Sequence, residues 1–554
     1  MAATIEEMSS ATTGTKTVAS LARDWALTMP GKVAMREKDF GIWQEYNWAQ
    51  TWDLIETAAH GLLATGLEVG DRVAIHSEDN PEWIILDLAT VAVRGITVGL
   101  YPTNPSAEVE YLVGDCTPKI YFAEDQEQAD KVLEIDPEVG SAIQRILYSE
   151  PRGFGDYTDE RLMFWDDFLE LGRQHREANP GAVEKLMSEA TPDDIMTLVY
   201  TSGTTGRPKG VRRPLSPAHP DESASGGLLY LFGTKPHDDN VQITQAPLYH
   251  TAVNNWTTMS LHLGHSVVLM DKWDAEGALE RIERYKVTSS HMVPTMFNRM
   301  LQLPDEVRTK YDVSSTRYMV HAAAPCPVET KKKMIEWWGD SIWEYYAATE
   351  GGGTYVGAAE WMTKPGTVGK PWPISEVIVV DEDGNRLPPF ESGTVYMKMG
   401  GGQQFEYKGD DEKTQAARLD DFFTVGDVGY LDDDGFLFLN DRANDMIIVG
   451  GLNIYPAEIE GALVQHEAVG DVAVFGIPNP DVGEEIKAVI ELRDGWEPTD
   501  ETTETIMAWL REQIARQKLP RSIDYTTEMP RDPNGKLYKR RLRDPYWEGH
   551  DGAI

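Results

Sequence analysis

The sequence is poor in cysteine. Only two of its 554 residues are cysteines, Cys116 and Cys326. Two cysteines cannot form a disulfide framework, and neither has a second cysteine nearby that would suggest a structural zinc site. We therefore expect a protein of a reducing, cytoplasmic compartment.

Targeting segments and long apolar runs are also missing. Residues 1–16, MAATIEEMSSATTGTK, lack a basic n-region and an apolar h-region, so they predict a disordered polar tail and no signal peptide. The longest apolar run starts at Trp83 and is interrupted by Asp87 and Arg94. These charges favour a buried helix leading into a strand, and we expect no transmembrane segment.

Basic residues are outnumbered by acidic ones, 51 to 91, which gives a net charge of −40. This balance argues against a nucleic-acid partner, because binding to phosphate backbones requires a positive face. Two explanations of the acidity stay open: adaptation to a salty environment, or ordinary bacterial acidity that favours solubility.

Strand-like and helix-like patterns alternate through most of the chain, which indicates an α/β fold with substantial parallel sheet. A strand starts at Asp71, and the helix after it is capped by Asp79 or Asn80 and ends at Gly95. After about residue 371, short strands are joined by Asp-Gly turns, which is typical of antiparallel hairpins. A compact α+β stretch follows Arg442, with a size that suits a small domain.

The segment Leu198–Gly210, LVYTSGTTGRPKG, is a loop rich in Thr, Ser and Gly. It is not a Walker A loop, because the sixth residue counted from Gly203 is Pro208 and not Gly. Its unhindered amides, its hydroxyls and the cation of Lys209 would make a cradle for an anion. A flexible polar surface loop is the alternative interpretation of this segment taken alone.

This loop resembles the signature loop of the adenylate-forming superfamily, which includes acyl-CoA synthetases, peptide-synthetase adenylation domains and beetle luciferases. Further motifs follow in the family's order and extend the resemblance from about residue 20 to residue 545. They are PLYHTA (247–252), HAAAPC (321–326), YYAATE (345–350), GTVGKP (366–371), the long segment 424–460 and PRDPNGKLYKRRL (530–542).

The resemblance implies a large N-terminal domain of two α/β subdomains plus a β-rich subdomain, followed by a small mobile α+β domain. We expect the large domain at 17–441, a hinge at 442–446 and the small domain at 447–554. The family activates a carboxylic acid with ATP and Mg²⁺ to an acyl adenylate and pyrophosphate. A thiol, here coenzyme A, then takes the acyl group and releases AMP.

Residue roles follow from the resemblance, position by position. It assigns catalysis to Lys536, Thr349, Glu350 and Lys209, with Glu350 also holding Mg²⁺. It assigns binding of ATP or AMP to Thr201, Ser202, Gly203, Thr204, Thr205, Gly206, Ala323, Ala324, Tyr346, Thr349, Asp427, Arg442 and Lys536. It assigns the acyl pocket to His250, Thr251, Asn254, Ala347 and Gly351, the pantetheine tunnel to Gly450 and Gly451, and the hinge to Asp445.

Each of these residues also has an ordinary structural interpretation. Alone, Asp427 could belong to a turn, Lys536 to a solvated basic tail, Gly450–Gly451 to a hairpin and His250 to the core. Two positions depart from the family: Ala347 stands where the family has Gly, and Asn444 stands where it often has Lys.

The identities of the carboxylic acid and of the thiol acceptor follow less directly from the motifs. Thr251 stands where amino-acid-activating domains have Asp, which argues against an α-amino acid. The small residues 351–353 suggest room for a medium-to-long or bulky alkanoic acid, such as a fatty, steroid or bile acid. Aryl and short acids stay open as alternatives, as do a homodimer and a catalytically silent relative that only binds a ligand.

Overall fold

The computed structural model describes most of the chain, in two compact units. The first unit comprises Met1–His291, Lys310–Tyr318 and Phe405–Asp411, and the second comprises Met292–Thr309, Met319–Gln404 and Glu412–Ile554. The described residues are 18–191, 194–201, 209–212, 229, 231–235, 239–270, 272–348, 351–373, 375–399, 406–407, 411–442, 445–449, 452–479, 482–531, 535 and 537–548. The predicted tail, residues 1–16, lies outside them.

The first unit contains a sheet whose described strands all pair in parallel. In spatial order its strands are Leu162–Phe164, Arg145–Tyr148, Ile120–Ala123, Arg72–His76, Ile96–Leu100 and Thr197–Leu198. The central strands are buried on both faces, which explains their almost continuous apolar sequence.

A second group of strands in the first unit combines parallel and antiparallel pairing. In spatial order these strands are Ser289–Met292, Val241–Thr244, Ser266–Leu269, Val33–Asp39 and Ile42–Asn47. Helices cover the sheets of this unit at Val18–Thr28, Trp48–Ala64, Pro81–Ala92, Ser106–Cys116, Gln126–Leu133, Trp165–Ala178, Ala182–Ser188, Thr251–His262 and Ala275–Tyr285. Their apolar faces form a large core with the strands.

The long apolar run that starts at Trp83 is a buried helix followed by a strand, as predicted. The helix is Pro81–Ala92, and Asn80 is its N-cap because its side chain accepts a hydrogen bond from the Trp83 amide. Of the two predicted caps, Asp79 is therefore not the one used. Among the described helices, none is long and apolar enough to cross a membrane.

The second unit begins with strands that carry two of the sequence motifs. Tyr318–His321 pairs in parallel with Ile342–Ala348, which pairs antiparallel with Gly351–Gly357, and Lys370–Pro371 follows. A β-rich sheet comes next, as the Asp-Gly turns predicted. Its strands are Ser375–Val380, Gly393–Met399, Arg418–Leu419, Phe422–Phe423, Asp427–Leu431 and Leu437–Arg442. Helices in this part are Pro294–Leu301, Asp305–Arg308, Val328–Trp338, Ala358–Thr363 and Asp411–Ala416.

The C-terminal part of the second unit is an α+β fold with its own apolar core. Its strands are Ile447–Val449, Leu452–Ile454, Val469–Asn479, Gly483–Leu492 and Ser522–Thr526, and its main helices are Pro456–Leu463, Asp500–Gln513 and Lys539–Trp547. The predicted fold class, a large mixed α/β part with several sheets and a smaller C-terminal α+β part, is confirmed.

Candidate active site

The Thr/Ser/Gly-rich loop is the connection of a β-hairpin in the first unit. Strand Tyr200–Thr201 pairs antiparallel with Lys209–Arg212, and Thr201 lies directly opposite Lys209 in this register. The two ends of the predicted anion cradle are therefore neighbours. Residues 202–208, which include Ser202, Gly203, Thr204, Thr205 and Gly206, lie outside the described residues, as do the side chains of Thr201 and Lys209.

Two predicted nucleotide-binding residues meet in the second unit. The Tyr346 hydroxyl donates a hydrogen bond to the Asp427 carboxylate, with 2.5 Å between the oxygens, although the residues are 81 positions apart. Asp427 is 8% exposed and begins the strand Asp427–Leu431. Arg442 lies opposite Asp427 in the neighbouring strand. The structure therefore brings the Tyr346 ring next to the Asp427 carboxylate, and it places the backbone of Arg442 opposite Asp427.

The segment predicted to face adenine follows the strand Tyr318–His321. Ala323 has a positive φ of 72°, in the left-handed region that a residue with a Cβ rarely adopts, and its side chain is exposed. Ala324 is half-buried. A strained exposed turn between two motif strands is a common feature of ligand sites, because the surrounding fold holds the turn in place.

A buried ionic network supports the two motif strands. His321 and Glu344 face each other in the parallel register, with 3.7 Å between His321 Nε2 and Glu344 Oε2. Lys331, from the helix Val328–Trp338, donates a hydrogen bond to the same carboxylate oxygen and lies 4.7 Å from the centre of the Trp361 ring. Burial raises the pKa of Glu344, although Lys331 opposes this effect.

This network was not predicted from the sequence. The one signal for it in the sequence is that charged residues stand at positions where the strand and helix patterns predict buried side chains. Lys331 is fully buried and Glu344 is 6% exposed, so each charge requires the other. Burial also raises the pKa of the nearby Cys326 thiol, which keeps it neutral.

Two of the three glycines after the YYAATE motif are needed for close packing and do not open a pocket. A Cβ on Gly353 would lie 2.4 Å from the Tyr346 carbonyl oxygen and 2.8 Å from the Trp372 ring, and one on Gly352 would lie 3.0 Å from the Met397 Cβ. The expectation that these positions leave room for an acyl chain is therefore wrong at Gly352 and Gly353. Gly351, a predicted pocket residue, has a φ of 128° that favours glycine.

Ala347, which stands where the family has Gly, fits because the residue opposite it, Gly353, has no side chain. Ala347 lies opposite Gly353 in the hairpin register, and its methyl group would be 3.0 Å from a Cβ at that position. The extra methyl group thus lies over a residue that has no side chain.

The PLYHTA segment lies at the carboxyl ends of the strands Arg72–His76 and Ile96–Leu100. The buried Asp79 carboxylate accepts a hydrogen bond from the Leu248 amide at 2.7 Å. The Tyr249 backbone lies so close to Gly99 that a Cβ there would be 3.3 Å from the Tyr249 Cα. These contacts hold the motif in place. From the sequence, Asp79 was expected only as a possible helix cap, and its contact with Leu248 was not predicted.

His250 is the N-cap residue of the helix Thr251–His262 and is half-buried. Its ring packs edge-on against Tyr101, with 5.2 Å between the ring centres. Thr251 and Asn254 occupy the first turn of the helix and are also half-buried. The three predicted pocket residues therefore share the start of one helix in the first unit.

The loop that carries Lys536 lies against the start of the helix Pro294–Leu301. A Cβ on Gly535 would be 2.5 Å from Thr295 Oγ1, and the Gly535 carbonyl accepts a hydrogen bond from Arg531 at 2.6 Å. Arg531 also makes a bidentate ion pair with Asp471. Lys536 itself lies outside the described residues, as do Thr349, Glu350, Gly450 and Gly451. Asp445 lies between the strands Leu437–Arg442 and Ile447–Val449.

Comparison with known proteins identifies the family of this chain. The model of the family "AMP-binding enzyme" matches residues 22–403, and "AMP-binding enzyme C-terminal domain" matches residues 458–536. The chain belongs to the AMP-binding enzyme family. The resemblance to adenylate-forming enzymes is therefore confirmed, and the chain is an enzyme of that class.

Two ligases and one solved structure are similar to this chain over most of its length. The long-chain-fatty-acid–CoA ligase of Bacillus subtilis is 30% identical over 97% of this chain and 95% of its own. The fatty acid–[acyl-carrier-protein] ligase ScoC of Streptomyces coeruleorubidus is 29% identical over 88% of this chain and 89% of its own. The crystal structure of ATP-bound MatB from Rhodopseudomonas palustris matches with a TM-score of 0.74 and 27% identity, covering 97% of this chain and 100% of that one.

Proposed function

We propose that this protein is an AMP-forming acyl-CoA synthetase that acts on a medium-chain, long-chain or bulky alkanoic acid. The observation that carries the nucleotide part of the proposal is the contact between Tyr346 and Asp427, with Arg442 opposite Asp427. An ionised carboxylate is a strong acceptor for the paired hydroxyls of a ribose, and an aromatic ring next to it suits a base.

In the first half-reaction, the acid's carboxylate attacks the α-phosphorus of ATP and displaces pyrophosphate. Negative charge accumulates around phosphorus, so the enzyme must position the reactants and supply cations and oriented donors. We assign these roles to Thr349 and Lys536 at the α-phosphate and to the 201–209 hairpin at the outer phosphates. The neighbouring positions of Thr201 and Lys209 support the second assignment.

Magnesium would neutralise phosphate charge in this step. A carboxylate combined with phosphate oxygens is the ligand set that Mg²⁺ prefers, and Glu350 would supply the carboxylate. In the second half-reaction, the CoA thiol attacks the acyl carbonyl carbon, a C–S bond forms, and AMP leaves with the electrons of the C–O bond.

The preference for an alkanoic acid is supported by the fatty-acid ligases among the relatives. The candidate pocket residues His250, Thr251 and Asn254 start a helix beside the aromatic rings of Tyr101 and Tyr249. Gly352 and Gly353 do not support this preference, because neighbouring atoms already pack closely against both residues. An aryl or short acid would be recognised by the same machinery and is a measurable alternative.

The test is pyrophosphate release with ATP and Mg²⁺ across a panel of alkanoic, aryl, short and steroid acids, with and without CoA. We expect turnover that requires CoA, with the highest kcat/KM for an acid of medium or long chain or of steroid size. Sustained release that yields no thioester when CoA is added would contradict the assignment of CoA as acceptor. No pyrophosphate release by protein that binds ATP would support a silent ligand-binding relative.

A further inference from the structure

Two neighbouring parallel strands of the first unit end in residues that have no role in the two half-reactions as proposed. The strand Arg72–His76 ends at His76, and Tyr101 directly follows the strand Ile96–Leu100. In open parallel sheets, ligands bind beyond the carboxyl ends of the strands. The predicted pocket residue His250 lies at this same end, in contact with the Tyr101 ring.

Tyr101 is the centre of a group of three rings. Its ring centre is 4.5 Å from that of Tyr249 and 5.2 Å from that of His250, with interplanar angles of 70° and 72°. Both are edge-to-face contacts, an arrangement that aromatic pairs prefer. Tyr249 is buried, whereas Tyr101 and His250 are half-buried. Part of each of these two rings is therefore accessible to a ligand.

A buried histidine holds the backbone at Tyr101. His76 Nε2 lies 2.9 Å from the Tyr101 carbonyl oxygen, and His76 Nδ1 lies 2.5 Å from the Tyr121 hydroxyl oxygen. A carbonyl oxygen can only accept, so Nε2 carries the ring proton and Nδ1 accepts the proton of the Tyr121 hydroxyl. Burial lowers the pKa of His76 to about 3, so the ring is neutral. One neutral tautomer thus satisfies both ring nitrogens and fixes Tyr101.

The segment that packs against Tyr101 is also held by this end of the sheet. The Asp79 carboxylate accepts a hydrogen bond from the Leu248 amide at 2.7 Å, and the Tyr249 backbone packs closely against Gly99. Both sides of the contact between the rings are therefore fixed by residues in or just after the same two strands. A ligand beside these rings meets a rigid wall.

We propose that Tyr101 is a specificity-determining residue of the acyl site and that His76 is its positioning residue. The Tyr101 ring limits the width of the site beside His250, which narrows the substrate class to straight-chain alkanoic acids. The inference rests on the proposed function, in which His250, Thr251 and Asn254 contact the acyl group. The wall rejects an extra methyl group, because the ring cannot move aside without losing the contacts that fix it.

The first experiment compares a straight-chain acid with methyl-branched acids of the same main chain, branched at C2, C3 or C4. We expect wild type to have a kcat/KM about tenfold or more higher for the straight chain. Tyr101→Ala should lose most of this preference for at least one branched acid, and Tyr101→Phe, which keeps the ring, should retain it. The KM for ATP should not change. Tyr111, exposed on the helix Ser106–Cys116, gives the control Tyr111→Ala.

A matched pair of variants tests the positioning role of His76. The amide in His76→Gln can still donate to the Tyr101 carbonyl, whereas the shorter amide in His76→Asn reaches only the Tyr121 side. We expect His76→Gln to keep the preference for the straight chain and His76→Asn to lose most of it. A histidine that only supports the core would lower the melting temperature in both variants and leave the preference unchanged.

Three results would overturn the inference. A wild-type enzyme that acts equally well on straight and branched acids, or a Tyr101→Ala enzyme with the wild-type preference, would remove the role of Tyr101. Equal preference in His76→Asn and His76→Gln would remove the role of His76. In all three cases thioester formation continues, so the proposed CoA ligase activity stands. Failure of wild type to form a thioester from any acid of the panel removes that activity and this inference together.

Discussion

At the scale of single residues, Asp427 is the best-defined part of the proposed nucleotide site. It accepts the Tyr346 hydroxyl and lies opposite Arg442. We expect Asp427→Ala to raise the KM for ATP about tenfold to a hundredfold, because an ionised acceptor contributes roughly 1.5–3 kcal/mol per hydrogen bond. Steady-state kinetics with ATP varied and the acid saturating measures this change.

The matched control is Tyr346→Phe, which removes the hydroxyl but keeps the ring. Its effect on the KM for ATP should be smaller than that of Asp427→Ala, because the carboxylate remains available to the ribose. An Asp427→Ala enzyme with the wild-type KM for ATP would show that the carboxylate does not contact the nucleotide.

The buried pair of Lys331 and Glu344 gives a second prediction at this scale. Lys331→Met leaves the Glu344 carboxylate buried without its cation, so we expect the free energy of unfolding to fall by about 3–5 kcal/mol. The double variant Lys331→Met with Glu344→Gln should recover most of this loss, because no uncompensated charge remains. Denaturant unfolding of both variants measures the difference. Equal destabilisation of both would show that the charge is not the cause.

The pH dependence of this loss has a definite sign. The pKa of Glu344 is raised above its ordinary value of 4.5 in the folded protein. Between that value and the raised pKa the folded state binds more protons than the unfolded state, so stability falls as pH rises. Without Lys331 the pKa rises further. We expect the deficit of Lys331→Met to be larger at pH 7 than near pH 5, and the variant with Glu344→Gln to lack this trend.

At the scale of elements, the loop around Gly535 is held from two sides. Arg531 binds the Gly535 carbonyl and Asp471, and Gly535 fits closely against Thr295. This arrangement would hold Lys536 for the first half-reaction. We expect Lys536→Ala to slow acyl-adenylate formation severely and to leave thioester formation from a supplied acyl adenylate nearly unchanged. Separate assays of the two half-reactions measure this difference.

Lys539 provides the control for this prediction. It lies three residues further on and pairs with Glu460 at 2.8 Å. Lys539→Ala removes a positive charge from the same segment and should leave both half-reactions close to wild type. Equal losses in both half-reactions for Lys536→Ala would contradict the assignment of this lysine to adenylation alone.

At the scale of the whole molecule, we expect the C-terminal domain to change position about the predicted hinge between the two half-reactions. Asp445 lies between the last strand of the β-rich sheet and the first strand of the C-terminal fold. Proline restricts φ, so we expect Asp445→Pro to impair one half-reaction much more than the other. Asp445→Ala, which keeps backbone freedom, should impair neither strongly. Similar rates for both half-reactions in Asp445→Pro would contradict a hinge at this position.

Much of this molecule was determined by local sequence. Local patterns predicted the strand Arg72–His76 and the helix Pro81–Ala92 that follows it, because side-chain periodicity and capping depend only on neighbouring residues. The Asp-Gly turns likewise predicted the hairpins after residue 371. The order of the motifs was sufficient to identify the family, since each motif is a short continuous segment.

Only the tertiary structure decided which distant residues meet. Tyr346 and Asp427 are 81 residues apart, and Asp79 and Leu248 are 169 apart. Packing also decided that Gly353 fits against Trp372 and opens no pocket. Such contacts depend on how strands and helices are arranged in space, and no local pattern encodes that arrangement.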